Sequence, residues 1–143
     1  MRTRIGSYRQ RFRIAAGILW ASPWTAVGCL VGLLALCTGC KVRWRCGVIE
    51  FYGGAINWIL ARLPVGPIAM TLGHTILGRT DAGLDLARSH ELVHVRQYER
   101  WGLLFVPAYL LSSLAAWIAG KHFYRDNGFE REAFERDGMV RRG

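Results

Sequence analysis

The chain has 143 residues, a formal net charge of +9 and a 52% share of hydrophobic residues, with a mean hydropathy of +0.16. That length holds one domain, with room for a short appendage. The basic residues are dispersed and not gathered on one recognition helix, which argues against nucleic acid as a partner. Basic charge combined with this much apolar content points to a membrane.

The chain opens on a basic tail, residues 1–13, carrying Arg2, Arg4, Arg9, Arg11 and Arg13. Residues 14–40 then run 27 positions without a charge. This is long enough to span a bilayer with some tilt, so a transmembrane helix is predicted here, with Trp20 and Trp24 near an interface. Pro23 predicts a kink, or else the helix's true start. Lys41, Arg43 and Arg45 follow the run, so the positive-inside rule biases the N-terminus toward the cytoplasm only slightly. The cysteines (Cys29, Cys37, Cys40 and Cys46) all lie in the first third. Cys37 and Cys40 form a CxxC without the second pair or nearby His that a zinc knuckle needs.

Residues 41–52 alternate in part around Gly47, which predicts a β-hairpin. A short apolar helix over 55–63 is broken by the Pro64–Pro67 segment. Residues 68–77 are predicted as one strand, and Thr80 or Asp81 as the N-cap of the next helix. That helix, over 85–101, carries His90-Glu91-Leu92-Val93-His94, an HExxH match. Residues four apart share a helix face, so His90 and His94 can aim two imidazoles at one ion. Glu91, about 100° round the helix, reaches a metal-bound water instead of the metal. Two neutral nitrogens, an open position and a general base are the parts of a zinc hydrolase site.

Residues 101–120 form a second uncharged run of 20 positions, long enough to be a transmembrane candidate. A polar tail follows, with a helix predicted over 127–137 that opens on Asn127 and has Glu130 in capping-box position.

A catalytic zinc site needs a third protein ligand. Gln97 and Arg100 stand where a metzincin has Gly and His, so that class is excluded. The remaining donors are Glu130 or Glu132, with Glu135 behind them. At about 1.5 Å per residue, three helices joined by tight turns bring Glu130 within a turn or two of the level of His90. A free span over 101–120 would instead put His94 and Glu130 on opposite sides of the bilayer. A shared site therefore needs that run to be a core helix, a re-entrant segment or a membrane-dipping helix. His74 reads as a structural or substrate-edge residue and His122 as interfacial or solvated. Tyr98, Tyr109 and Tyr124 read as packing aromatics with the capacity to donate to an oxyanion.

HELVH, the apolar region after it and the downstream Glu130-x-Glu132-Ala133 resemble the gluzincin-type (zincin-like) membrane zinc metalloproteases. The nearest parallels are the heat-shock membrane protease and CAAX-prenyl protease family. In these a Glu-x-x-Ala-Asp helix supplies the third ligand, which falls here on Glu130 with Ala133 on the Ala. Phe134 replaces the Asp. The segment from His90 to Glu135 carries the likeness. The flanking text also resembles small bacterial HExxH membrane proteins without assigned activity.

The fold expected is α+β and mainly helical: the transmembrane helix, then a minimal zincin-like domain over 41–143. The resemblance implies a bacterial inner-membrane metallopeptidase with Zn²⁺ held by His90, His94 and Glu130 (alternatively Glu132), and with Glu91 as the base. Its partners would be the lipid bilayer and a peptide or protein substrate. The alternative is a zincin-like metal-binding scaffold without hydrolysis.

Overall fold

The computed structural model describes the backbone of residues 2–142 and the side chains of residues 10–138. Helix α1 (Arg2–Leu36) leads into a hairpin of β1 (Lys41–Arg45) and β2 (Val48–Tyr52). Then come α2 (Gly54–Arg62), β3 (Ala69–Leu72), β4 (Thr75–Gly78), α3 (Asp81–Trp101), a 3₁₀ turn (Gly102–Leu104), α4 (Phe105–Ile118) and α5 (Gly128–Arg142). The fold is α+β, with one mixed sheet in the order β1-β2-β4-β3. β2 and β4 are parallel, joined through α2 and β3, while both hairpins are antiparallel.

Alternation along the strands sorts side chains to two faces. Ile49, Phe51, Met70, Leu72 and Leu77 pack with α2 and with Val31 and Ala35 of α1. Val48, Tyr52, Ala69 and Ile76 pack on the other face with Leu84, Ala87, Leu92 and Val95 of α3. The sheet is therefore a middle layer, with α1 and α2 on one side and α3 on the other.

The predicted strand over 68–77 is in fact a second hairpin. Gly73 has φ 61°, and as the first residue of a two-residue loop it gives the type II′ geometry that matches strand twist. The loop tip lies so close to α1 that a Cβ on Gly73 would sit 2.5 Å from the Thr25 nitrogen. His74 follows, its backbone N–H donating to Thr25 Oγ1 at 2.9 Å.

Helix α1 differs from the predicted span in three ways. It begins at Arg2 and so includes the basic tail, and it ends at Leu36, before the turn leading to buried Cys40. It also continues through Pro23. The carbonyl of Leu19, which loses its usual N–H partner there, accepts from Ser22 Oγ at 2.7 Å. Trp24 is half-buried: its indole N–H donates to the Leu103 carbonyl at 3.3 Å, and its ring packs 6.5 Å from that of Tyr98.

Small residues line the buried face of α1. A Cβ on Gly28 would lie 2.8 Å from Thr75 Cβ, and one on Gly32 would penetrate the Phe51 ring. Gly32→Val is therefore expected to destabilise the docked helix by about 1–3 kcal/mol through overpacking, beyond the few tenths gained in helix propensity. Thermal unfolding in detergent should show this loss, while Leu33→Val, on the exposed face, leaves the midpoint nearly unchanged.

Two stretches are long and apolar enough to cross a membrane, Gln10–Leu36 and Asp81–Ile118. The second is not one rod. Gly102, at φ 56°, ends α3, and α4 turns back so that Phe105 stacks 4.2 Å from Tyr98. The apolar run predicted over 101–120 is thus a 3₁₀ turn plus a helix of 14 residues, about 21 Å long and short of the roughly 30 Å hydrocarbon core. Leu110, Leu111, Leu114, Trp117 and Ile118 on α4 are exposed, so it is not a buried core helix either. It leaves an apolar face uncovered and leads the chain into α5, which packs on α3.

Candidate metal centre

Helix α3 presents two working faces. Leu84, Glu91 and Val95 turn to the sheet, while His90, His94 and Gln97 turn to α5. The helix starts with Thr80 as N-cap, as predicted, its hydroxyl accepting from the Gly83 N–H at 3.0 Å, and residues 81–84 extend it ahead of the predicted 85–101. Helix α5 is set by Asn127, which is fully buried. Its side-chain oxygen accepts from the Phe129 N–H at 2.9 Å, and its amide group donates to Ser113 Oγ at 2.7 Å and the Tyr109 carbonyl at 3.0 Å. Asn127 thus caps α5 and fastens it to α4. Glu130 does not complete the predicted capping box. It turns inward.

There it meets the histidines. His90 Nε2 lies 3.1 Å from Glu130 Oε2, His94 Nε2 3.4 Å from Glu130 Oε1, and the two Nε2 atoms are 3.1 Å apart. All three residues are buried, and their ligating atoms lie within 4.8 Å of one another. Donors arranged tetrahedrally at about 2.0–2.1 Å from one ion are roughly 3.3–3.4 Å apart, and in this triangle each imidazole lies near that spacing from the other and from one oxygen of the Glu130 carboxylate. Two imidazole nitrogens and one carboxylate oxygen are also a donor set that borderline transition metals accept. The residues present therefore fit a metal ion.

Burial acts to raise the Glu130 pKa, but hydrogen bonds from His90 and His94, with Tyr109 behind them, outweigh it and hold the carboxyl well below the usual range. Tyr109 donates its hydroxyl to Glu130 Oε1 at 2.6 Å. Burial, then the Glu130 charge, push the Tyr124 phenol up, so it stays an O–H donor beside the site. Both tyrosines thus go beyond the packing role predicted for them. Tyr98 is the packing aromatic expected, buried against Trp24 and Phe105.

Glu91, also buried, lies on the cavity side. Its Oε2 accepts from Thr71 Oγ1 at 2.7 Å, so the second hairpin fixes its carboxylate. Glu132 is not part of the triangle. Its Oε2 accepts from Gln97 and Arg100, both at 2.9 Å, and its Oε1 faces Arg136. Phe134, which stands in the place of an Asp, packs its ring 4.7 Å from that of His90. His74 is structural: its Nε2 pairs with Glu99 Oε1 at 2.9 Å, well away from the triangle. His122 is exposed, its Nδ1 accepting from the backbone of Tyr124 and Arg125.

A cavity of about 460 Å³ opens on these groups. Glu91, His94, Tyr109, Tyr124 and Glu130 supply its polar wall, and Trp24, Pro64, Met70 and Leu110 are among its apolar lining. Strand β3 runs along it with one edge unpaired in the sheet. Thr71 and Gln97 were not legible as site residues, although Gln97 does sit at i+3 from His94, where a helix places a neighbour; Tyr109 was read as a possible donor but not as the partner of Glu130. No family model, curated protein or solved structure matches the chain.

Proposed function

We propose that the protein is a membrane-anchored zinc metallopeptidase with a minimal zincin-like domain. The observation that carries this reading is the closure of the HExxH pair by Glu130, with Glu91 beside it on the wall of a cavity. Zinc held by His90, His94 and Glu130 would supply a Lewis acid and a water acidic enough to ionise near neutral pH. Glu91, on the cavity wall, would serve as the proton carrier between an attacking water and the leaving amine. Thr71 holds the Glu91 carboxylate in one orientation. Tyr109 gives its one hydroxyl hydrogen to Glu130 and so orients the third ligand, while Tyr124, kept protonated, lines the same wall. The free edge of β3 supports an extended peptide by strand addition, and the apolar lining suits hydrophobic side chains flanking the cleaved bond. Helix α1, with α4, attaches the domain to the bilayer.

The test is Glu91→Gln in the purified full chain. Metal content is expected to stay at the wild-type level while hydrolysis of a peptide library falls by about 10²–10⁴, the contribution of a positioned proton carrier. Metal at one per chain with no hydrolysis in the wild type supports the second reading, a non-catalytic metal-binding scaffold. Unchanged turnover in the variant removes Glu91 from the mechanism.

A further inference from the structure

Gln97 is 1% exposed and all its side-chain polar atoms are engaged. Its amide nitrogen donates to the Phe129 carbonyl at 3.1 Å and to Glu132 Oε2 at 2.9 Å. Both partners accept only, so they fix which end of the amide is nitrogen. The oxygen is therefore the atom 2.8 Å from His94 Nδ1. An amide oxygen cannot donate, so Nδ1 must carry the hydrogen. In the neutral ring this leaves the lone pair on Nε2, the nitrogen directed at His90 and Glu130. Glu132 is held in turn by Arg100 at 2.9 Å and Arg136 at 2.9 Å, so Gln97 cannot turn over without breaking several bonds at once.

We infer that Gln97 is the positioning residue of the metal centre. It selects the Nδ1–H tautomer of His94, and through the same amide it locks α3 to α5, the helix that brings Glu130. The second effect follows from position: Phe129 precedes Glu130 and Glu132 follows it by two, so both amide donor bonds clamp the backbone around the third ligand. A metal-bound histidine with its outer nitrogen hydrogen-bonded keeps its ring orientation and basicity, and loss of that partner typically weakens binding by about 10–100-fold. This inference rests on the metal-binding part of the proposed function and not on peptide hydrolysis.

The experiment uses the full chain in detergent micelles with two readouts. The first is ¹⁵N–¹H correlation of the histidine side chains in metal-free protein. His94 is expected with a hydrogen on Nδ1 in the wild type, whatever Nε2 carries, and with Nδ1 only partly protonated in Gln97→Leu. The second is competition of Zn²⁺ against a chelator of known affinity. Gln97→Leu and Gln97→Met, neither of which offers Nδ1–H an acceptor of the same strength, are expected to bind about 10–100-fold more weakly. Thermal unfolding confirms that each variant is folded. An Nε2–H tautomer in the wild type overturns the inference, as does a Leu variant with unchanged affinity. If the wild type binds no metal, the zinc reading fails, and the tautomer readout still decides what Gln97 does to His94.

Discussion

Replacing either His94 or Glu130 by alanine is expected to remove stoichiometric metal from the purified protein, whereas Glu132→Ala should leave it in place. Structural zinc sites with four protein ligands hold the ion with roughly 10–16 kcal/mol, or about 2.5–4 kcal/mol per ligand. Taking one donor from a set of three should therefore weaken binding by on the order of 10²–10³. That is enough for the metal to be lost during purification. Glu130→Ala carries a second penalty, because Tyr109 loses its acceptor in a buried site. It should lower the unfolding temperature as well as the metal content. Glu132 is the informative contrast. It lies two residues from Glu130 and was the alternative ligand by sequence, but in the fold it holds Gln97 and Arg100. Its loss should cost at most the affinity that an outer hydrogen bond supplies, about tenfold or somewhat more. Metal analysis of the three variants against wild type checks all of this. Metal retained by Glu130→Ala and lost from Glu132→Ala would reverse the ligand assignment.

The helices were legible because their signals are local. Helical spacing placed His90 and His94 together, Asn127 marked the start of α5, and the rise per residue brought Glu130 back toward His90. What failed were features set by long-range packing. Residues 68–77 read as one strand because Gly73-His74 interrupts the apolar pattern so briefly. The turn declares itself only once Leu72 and Thr75 are paired. The parallel pairing of β2 with β4 leaves no mark in either segment. Tyr109 read as an aromatic filler because nothing in the sequence near it indicates an acceptor 21 residues away. Gln97 served only to exclude a different metal-site pattern. In each case the missing information was a contact between distant segments, and in the last two the outer partner of a ligand.

Glu50 is the clearest instance, and it should be the most damaging residue to remove outside the metal centre. It lies in the middle of β2 with no exposure, in a segment, Val48-Ile49-Glu50-Phe51-Tyr52, otherwise apolar. Its Oε1 accepts from Arg88 Nε at 2.8 Å and its Oε2 from Arg43 Nε at 2.5 Å. Arg43 reaches on to Asp81 and Asp85, and Arg88 to Asp85. One buried carboxylate therefore joins β1, β2 and the first turns of α3. Arg88 lies two residues before His90, so this joint also fixes the rotation of α3 about its axis, and with it which residues face β3 and which face α5. Glu50→Ala leaves two largely buried guanidinium groups short of an acceptor and is expected to cost about 3–5 kcal/mol. For a chain of this length that corresponds to a fall of about 10 °C in unfolding temperature. The pH dependence separates charge from packing. Burial acts to raise the Glu50 pKa, but hydrogen bonds from Arg88 and Arg43 outweigh it and leave the pKa lowered. Its stabilisation is then fully present above the unfolded carboxyl pKa of about 4.3 and is lost as the pH falls through the lower folded value. Glu50→Gln keeps the shape without the charge, so it should be less stable than wild type at pH 7 and approach it as the solution is acidified toward pH 3. Parallel melting curves for the two proteins, with a constant gap across that range, would show that the carboxylate charge is not what holds β2 to α3.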